Sequence, residues 1–204
     1  MITDCHSHTP QANAIISREP HQSAVCNMLY SVGIHPWNTN KFNPSALNDA
    51  AQMESTVAIG ETGLDMLRGP SFDVQRERFI HHIQLSEQLK KPLIIHCVRA
   101  FSQLLEIKKA MQPTQTWIIH GFNRKPELAK QLLQADCYIS LGTHFNSHTA
   151  QIIPPERLLL ETDDCSTSTI EDVATAIAAT RQSTTDEILN LSAQNIAKVF
   201  KLNE

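Results

Sequence analysis

Short apolar runs rich in Ile, Leu and Val recur along this 204-residue chain, alternating with longer stretches in which apolar positions return every three or four residues. The runs are MITDC (1–5), AIISR (14–18), LYSVGI (29–34), TVAIGE (56–61), PLIIHC (92–97), TWIIHG (116–121), CYISLG (137–142) and RLLLET (157–162). Such short runs suit strands buried on both faces. The helical period predicts helices over 44–53, 72–90, 99–112, 125–135 and 169–181, with Pro44 and Pro126 in first turns. Residues 184–200 read as a C-terminal helix capped by Thr185 or Asp186.

Strand and helix in alternation imply an α/β protein with a mostly parallel sheet, either open or closed. Eight runs favour the closed form, a single TIM-like (β/α) barrel formed by residues 1–204 as one domain. The passage after the first run is short, so the second βα unit is expected to be shortened, with NAIISREP supplying a brief strand. Gly33, Gly60, Gly63, Gly121 and Gly142 fall at or just past the ends of runs. In parallel α/β folds those ends are where ligands bind.

A formal charge of −4 excludes a broad basic surface of the kind that wraps long polyanions. No run approaches the roughly 18 apolar residues of a membrane span, and MITDCHSHTP lacks the basic start and apolar core of a signal peptide. Five cysteines without a C-x-x-C pair fit free thiols, and the chain is expected in the cytoplasm, with no membrane and no evident protein partner. Cys5 and Cys97 each adjoin a histidine on a predicted strand, where alternation sends histidine inward and cysteine outward.

Residues able to bind metal collect at the predicted strand ends: His6, His8, His35, Glu61, His96, His120 and Asp163. His6 and His8 are two apart, so an extended segment turns both to one face. A lone H-x-H is more often a solvated or structural pair; the other strand ends raise its significance. Nitrogen and carboxylate donors suit Zn, Mn, Co, Ni or Fe, or Mg and Mn where carboxylates dominate. Four histidines, His6, His8, His96 and His120, with Glu61 and Asp163 exceed one tetrahedral site. Two ions bridged by Glu61 would use all six and clamp the attacking and leaving oxygens of a displacement at phosphorus.

The motifs DCHSH (4–8), SVGIHPW (31–37), AIGETGLD (58–65), PLIIHC (92–97), IIHGF (118–122) and LLLETDDC (158–165) follow one another from end to end. In this combination the chain resembles the TatD-type metal-dependent deoxyribonucleases, in the amidohydrolase-like TIM-barrel group. The resemblance implies two divalent ions, Mg, Mn or Zn. It makes His6, His8, Glu61 and Asp163 ligands of one ion and Glu61, His96 and His120 ligands of the other. It implies Asp163 and Glu61 as catalytic, with metal-bound hydroxide as nucleophile and Asp163 activating the water. The substrate it implies is DNA or a nucleotide, cut at a 3′ end or as single-stranded pieces.

Two features depart from that family. Only about 25 residues separate the first motif from GIHPW, too few for a full α–β–α passage. After Asp163 the chain runs almost directly into a helix, without the proline-containing loop and its Arg-Asn-Glu-Pro-like motif that the family often carries, so part of a substrate wall is expected to be absent.

His35 in GIHPW, Arg99 beyond His96 and Phe122 beyond His120 are candidate substrate-binding residues, as a phosphate contact, a phosphate clamp and a base-stacking ring. Trp37 and Phe145 are further stacking candidates, each equally suited to packing. Asp4 is placed to orient a histidine or form a turn, and Asp65 to fix the turn around Glu61. His81 and His82 read as surface or packing residues of a helix. Two other functions use the same residues: hydrolysis of an ester or amide, such as aminoacyl-tRNA deacylation, and metal binding without turnover.

Overall fold

A computed structural model describes residues 1–202. Eight parallel strands run in chain order, β1 (Asp4–Ser7), β2 (Ala14–Arg18), β3 (Leu29–Val32), β4 (Thr56–Asp65), β5 (Leu93–Val98), β6 (Trp117–Ile119), β7 (Cys137–Leu141) and β8 (Leu158–Leu160). Among the described residues seven α-helices lie between and after the strands: α1 (Pro44–Gln52), α2 (Phe72–Leu89), α3 (Phe101–Met111), α4 (Pro126–Gln134), α5 (Ser147–Ile152), α6 (Ile170–Arg181) and α7 (Thr185–Phe200). β1 is bridged beyond β8 through Ser7 and Asp163, which makes the fold a nearly closed (β/α) barrel. Among the described residues no helix is long and apolar enough to cross a membrane.

The chain forms two compact units. The first, residues 1–16 and 119–204, has a core in which β7 and β8 are buried throughout. Leu158, Leu159 and Leu160 are fully buried, as are Ile177 of α6 and Ile196 of α7. Both C-terminal helices open on a capping box: Thr169 with Asp172, and Thr184 with Glu187. The cap of α7 is therefore Thr184, not Thr185 or Asp186, because Thr184 still has extended backbone and its hydroxyl reaches the Glu187 amide.

The second unit, residues 17–118, contains β3 to β5 and α1 to α3. No helix intervenes between β1 and β3, as the short passage implied. β4 runs ten residues and passes through Glu61 to Asp65, whereas the sequence pattern stopped it at the glycine-rich GETG. Glycine is needed there for close approach. A Cβ on Gly60, whose φ is +138°, would stand 2.5 Å from the Ile94 carbonyl oxygen, and one on Gly33 would stand 2.7 Å from that of Glu61.

The buried side of α2 carries Gln75, Phe79, His82, Ile83 and Ser86, a helical stripe. His82 is fully buried, the packing rather than the surface alternative. The Ile34 amide donates to its Nε2 at 3.0 Å and its Nδ1 lies 2.7 Å from the Arg78 carbonyl oxygen. This pairing holds the ring neutral with its proton on Nδ1 and anchors the segment leading to His35.

Burial lowers the pKa of His82 from 6.5 to about 4. As pH falls through that window the unfolded chain binds a proton that the folded chain refuses, so this residue's contribution is lost towards acid, by about 2 kcal/mol at pH 5. Asp4 acts in the opposite sense: burial outweighs its bonds from Thr162 and His6 and raises it to about 6, so it favours the fold as pH falls below 6. The discriminating quantity is the difference between wild type and His82→Gln. Urea titrations at pH 7 and pH 5 should show wild type losing more stability than the variant; parallel losses would refute the assignment.

Candidate metal centre

In the first unit, β1 brings His6 into a fully buried position and leaves His8 just beyond its end. The backbone past β8 meets it there: the His8 amide donates to the Asp163 carbonyl at 2.9 Å, and the Asp163 amide donates to that of His6 at 3.0 Å. Asp163 takes a left-handed conformation, φ +54°, uncommon for a residue with a Cβ. Its Oδ1 lies 3.4 Å from His6 Nε2 and 3.5 Å from His8 Nε2. The His120 ring, past β6, stands 4.4 Å from that of His6. His6, His120 and Asp163 offer donor atoms all within 4.8 Å of one another.

The group opens outward on one side, since the side chains of His8 and Asp163 are 43% and 37% exposed while His6 is buried. Burial alone would raise the pKa of Asp163. Hydrogen bonds from His6 and His8 and the charge of His120 more than offset it and hold the carboxyl well below its usual range.

The second unit gathers His35, Glu61 and His96, again within 4.8 Å. Glu61 Oε1 lies 3.1 Å from His35 Nε2 and 3.0 Å from His96 Nδ1. His35 Nδ1 accepts from the Trp37 amide at 3.2 Å, which leaves Nε2 to carry the proton toward Glu61. The other nitrogen of His96 lies 3.3 Å from Asp65 Oδ2, which also accepts from Trp37 Nε1 at 2.6 Å. Asp65 Oδ1 takes the Leu67 and Arg68 amides, tying the turn after β4. Burial pulls its pKa up, but the bonds from Trp37, Leu67 and His96 outweigh it and leave Asp65 ionised. A carboxylate behind a histidine fixes ring orientation and raises basicity, as in many metal sites.

Glu161, absent from the sequence reading, has the corresponding place in the first unit. Fully buried, it sets Oε1 3.4 Å from His120 Nδ1 and accepts from the Gly121 amide at 2.6 Å. Its signal was a charged residue at the end of an all-leucine strand. Asp4 does not orient a histidine ring; it accepts from the His6 amide and from the hydroxyl and amide of Thr162. Cys5 does not pack outward, because its thiol lies 3.1 Å from Ser140 Oγ. Arg99 is exposed and in the turn before α3, not in the helix, and Phe122 is 2% exposed and fills the core.

The donor chemistry fits divalent metal. Ligands on bonds of about 2.0–2.2 Å stand at most about 4.4 Å apart across an ion, so these groups need only slight contraction. Imidazole and carboxylate are the donors of hydrolytic sites rather than of Fe–S or copper-thiolate centres.

Histidine and carboxylate donors at the strand C-termini of a (β/α) barrel define a metal-dependent hydrolase. The family described as TatD related DNase matches residues 5–201, and the chain belongs to it. A relative in Escherichia coli K12, named an uncharacterized metal-dependent hydrolase, YcfH, is 32% identical over 199 residues, 87% of this chain and 75% of its own. A protein of Edwardsiella piscicida named 3′-5′ ssDNA/RNA exonuclease TatD is 28% identical over 149 residues, 65% of this chain and 56% of its own. The crystal structure of YJJV, a TatD homolog from Escherichia coli K12, shares the fold with a TM-score of 0.82 at 20% identity, covering 98% of this chain and 97% of that one. The protein is thus a metal-dependent hydrolase of this family.

Proposed function

We propose that this hydrolase is a two-metal phosphodiesterase that degrades DNA from a 3′ end or as short single-stranded pieces. What carries the reading is the donor chemistry around an ionised Asp163 that is 37% exposed beside His8. The exonuclease name of the Edwardsiella relative supports the same substrate class. Of the six proposed ligands, His6, His8, His120 and Asp163 belong to the first unit and Glu61 and His96 to the second. Divalent ions held by such donors polarise a phosphoryl oxygen and acidify water.

The chain's own residues divide the remaining work. Asp163 accepts the proton of the attacking water, as a carboxylate on the open edge of the group. Glu161 and Asp65 hold the rings of His120 and His96. His35 donates to Glu61 and holds that carboxylate in place. Five free cysteines suit work in the cytoplasm, where thiols stay reduced.

Purified protein should shorten an end-labelled single-stranded DNA when Mg, Mn or Zn is supplied, and a chelator should abolish that shortening reversibly. Hydrolysis of a carboxylic ester or of charged tRNA without any cleavage of DNA would instead establish the ester or amide reading.

A further inference from the structure

In the first unit, the loops that leave β6 and β7 line an open cavity of about 430 Å³, with Asn123, Arg124, Thr143, His144, Phe145, Asn146 and Ser147 on its walls. None of these described residues is acidic. Thr149, fully buried in α5, joins the loops: its hydroxyl donates to the Arg124 carbonyl at 2.7 Å, and its amide donates to Asn146 Oδ1 at 3.0 Å. The Phe122 amide also donates to the Ser140 carbonyl at 3.1 Å. The walls are therefore held before any ligand arrives, which lowers the ordering cost of binding.

We infer that this cavity takes a nucleotide of the substrate strand next to the scissile phosphate. The inference rests on the nuclease reading and names where that strand continues. Arg124 follows His120 by four residues, so its Cα lies at most about 14 Å away along the chain. A guanidinium pairs with two phosphate oxygens, and the half-buried ring of Phe145 gives a base a face to stack on. Asn123 and Thr143 add donors and acceptors suited to a base edge. An exposed cation and an aromatic ring lining one polar cavity match single-stranded nucleic acid better than an apolar ligand.

Arg124→Ala and Phe145→Ala are compared with wild type in the full chain, with unchanged melting temperature as the folding control. One arm measures anisotropy of a labelled phosphorothioate single strand, which resists cleavage; the other measures hydrolysis of methyl p-nitrophenyl phosphate, a diester with neither a second phosphate nor a nucleobase. Each variant should bind the strand about tenfold more weakly. Arg124→Ala should also lower the salt dependence by about 0.7 in slope. Diester hydrolysis should stay within about twofold, since neither loop residue is among the metal donors.

Unaltered strand binding in both variants overturns the subsite, and if the diester is still cleaved the phosphodiesterase reading survives. Wild-type binding that depends on Arg124 and Phe145 without cleavage of either substrate would support the subsite and overturn the nuclease reading. Equal loss on the strand and the small diester would mean a structural role, and would also overturn the subsite.

Discussion

Asp163→Ala is expected to lower DNA hydrolysis by about 10³-fold or more while leaving the fold intact. The carboxylate is both a proposed donor and the proposed proton acceptor, and its Oδ1 is the atom met by His6 and His8. Its structural contribution runs through the backbone, where the amide and carbonyl pair with His6 and His8, and alanine retains both groups. Metal content and steady-state rate should therefore fall together, with circular dichroism unchanged. A variant within about tenfold of the wild-type rate would remove Asp163 from the chemistry.

Glu61→Gln should have an effect of similar size for a different reason. Glu61 is 5% exposed, and one oxygen faces both His35 and His96. An amide keeps the volume but not the charge, and it is a poor ligand for a divalent ion. Affinity for Mn should drop by at least about 100-fold, more than the 10–100-fold typical of losing an outer partner. The milder comparison is Asp65→Asn, which reaches metal only through His96 and should stay inside that outer-partner range. Equal effects from the two would place Glu61 outside the ligand set.

Much of the barrel was legible because parallel strands buried on both faces leave unbroken apolar runs, as WII and LLL do. The candidate metal donors stood out because a histidine or carboxylate ending such a run has little reason to be there otherwise. Other features were hidden by the same logic. Glycine reads as punctuation, so β4 seemed to stop at Glu61, although Gly60 and Gly63 let it pass close to β5. α5, with the polar sequence SHTAQI, has no apolar period and forms behind the Asn146 cap. His81 and His82 are neighbours, and adjacency alone does not tell which of the two is buried. The place of His82 seven residues after Gln75 and three after Phe79 puts it on the buried stripe. Glu161 and Asp65 act through partners distant in sequence, so their roles needed the fold.

The central claim is that these histidines and carboxylates hold divalent metal for hydrolysis. Elemental mass spectrometry of the purified chain, after dialysis against trace metal and again after chelation, tests it most directly. About two ions per chain are expected, removed together by the chelator, with one of them missing from Asp163→Ala. Metal-free protein that stays metal-free when Mg, Mn or Zn is supplied would contradict it.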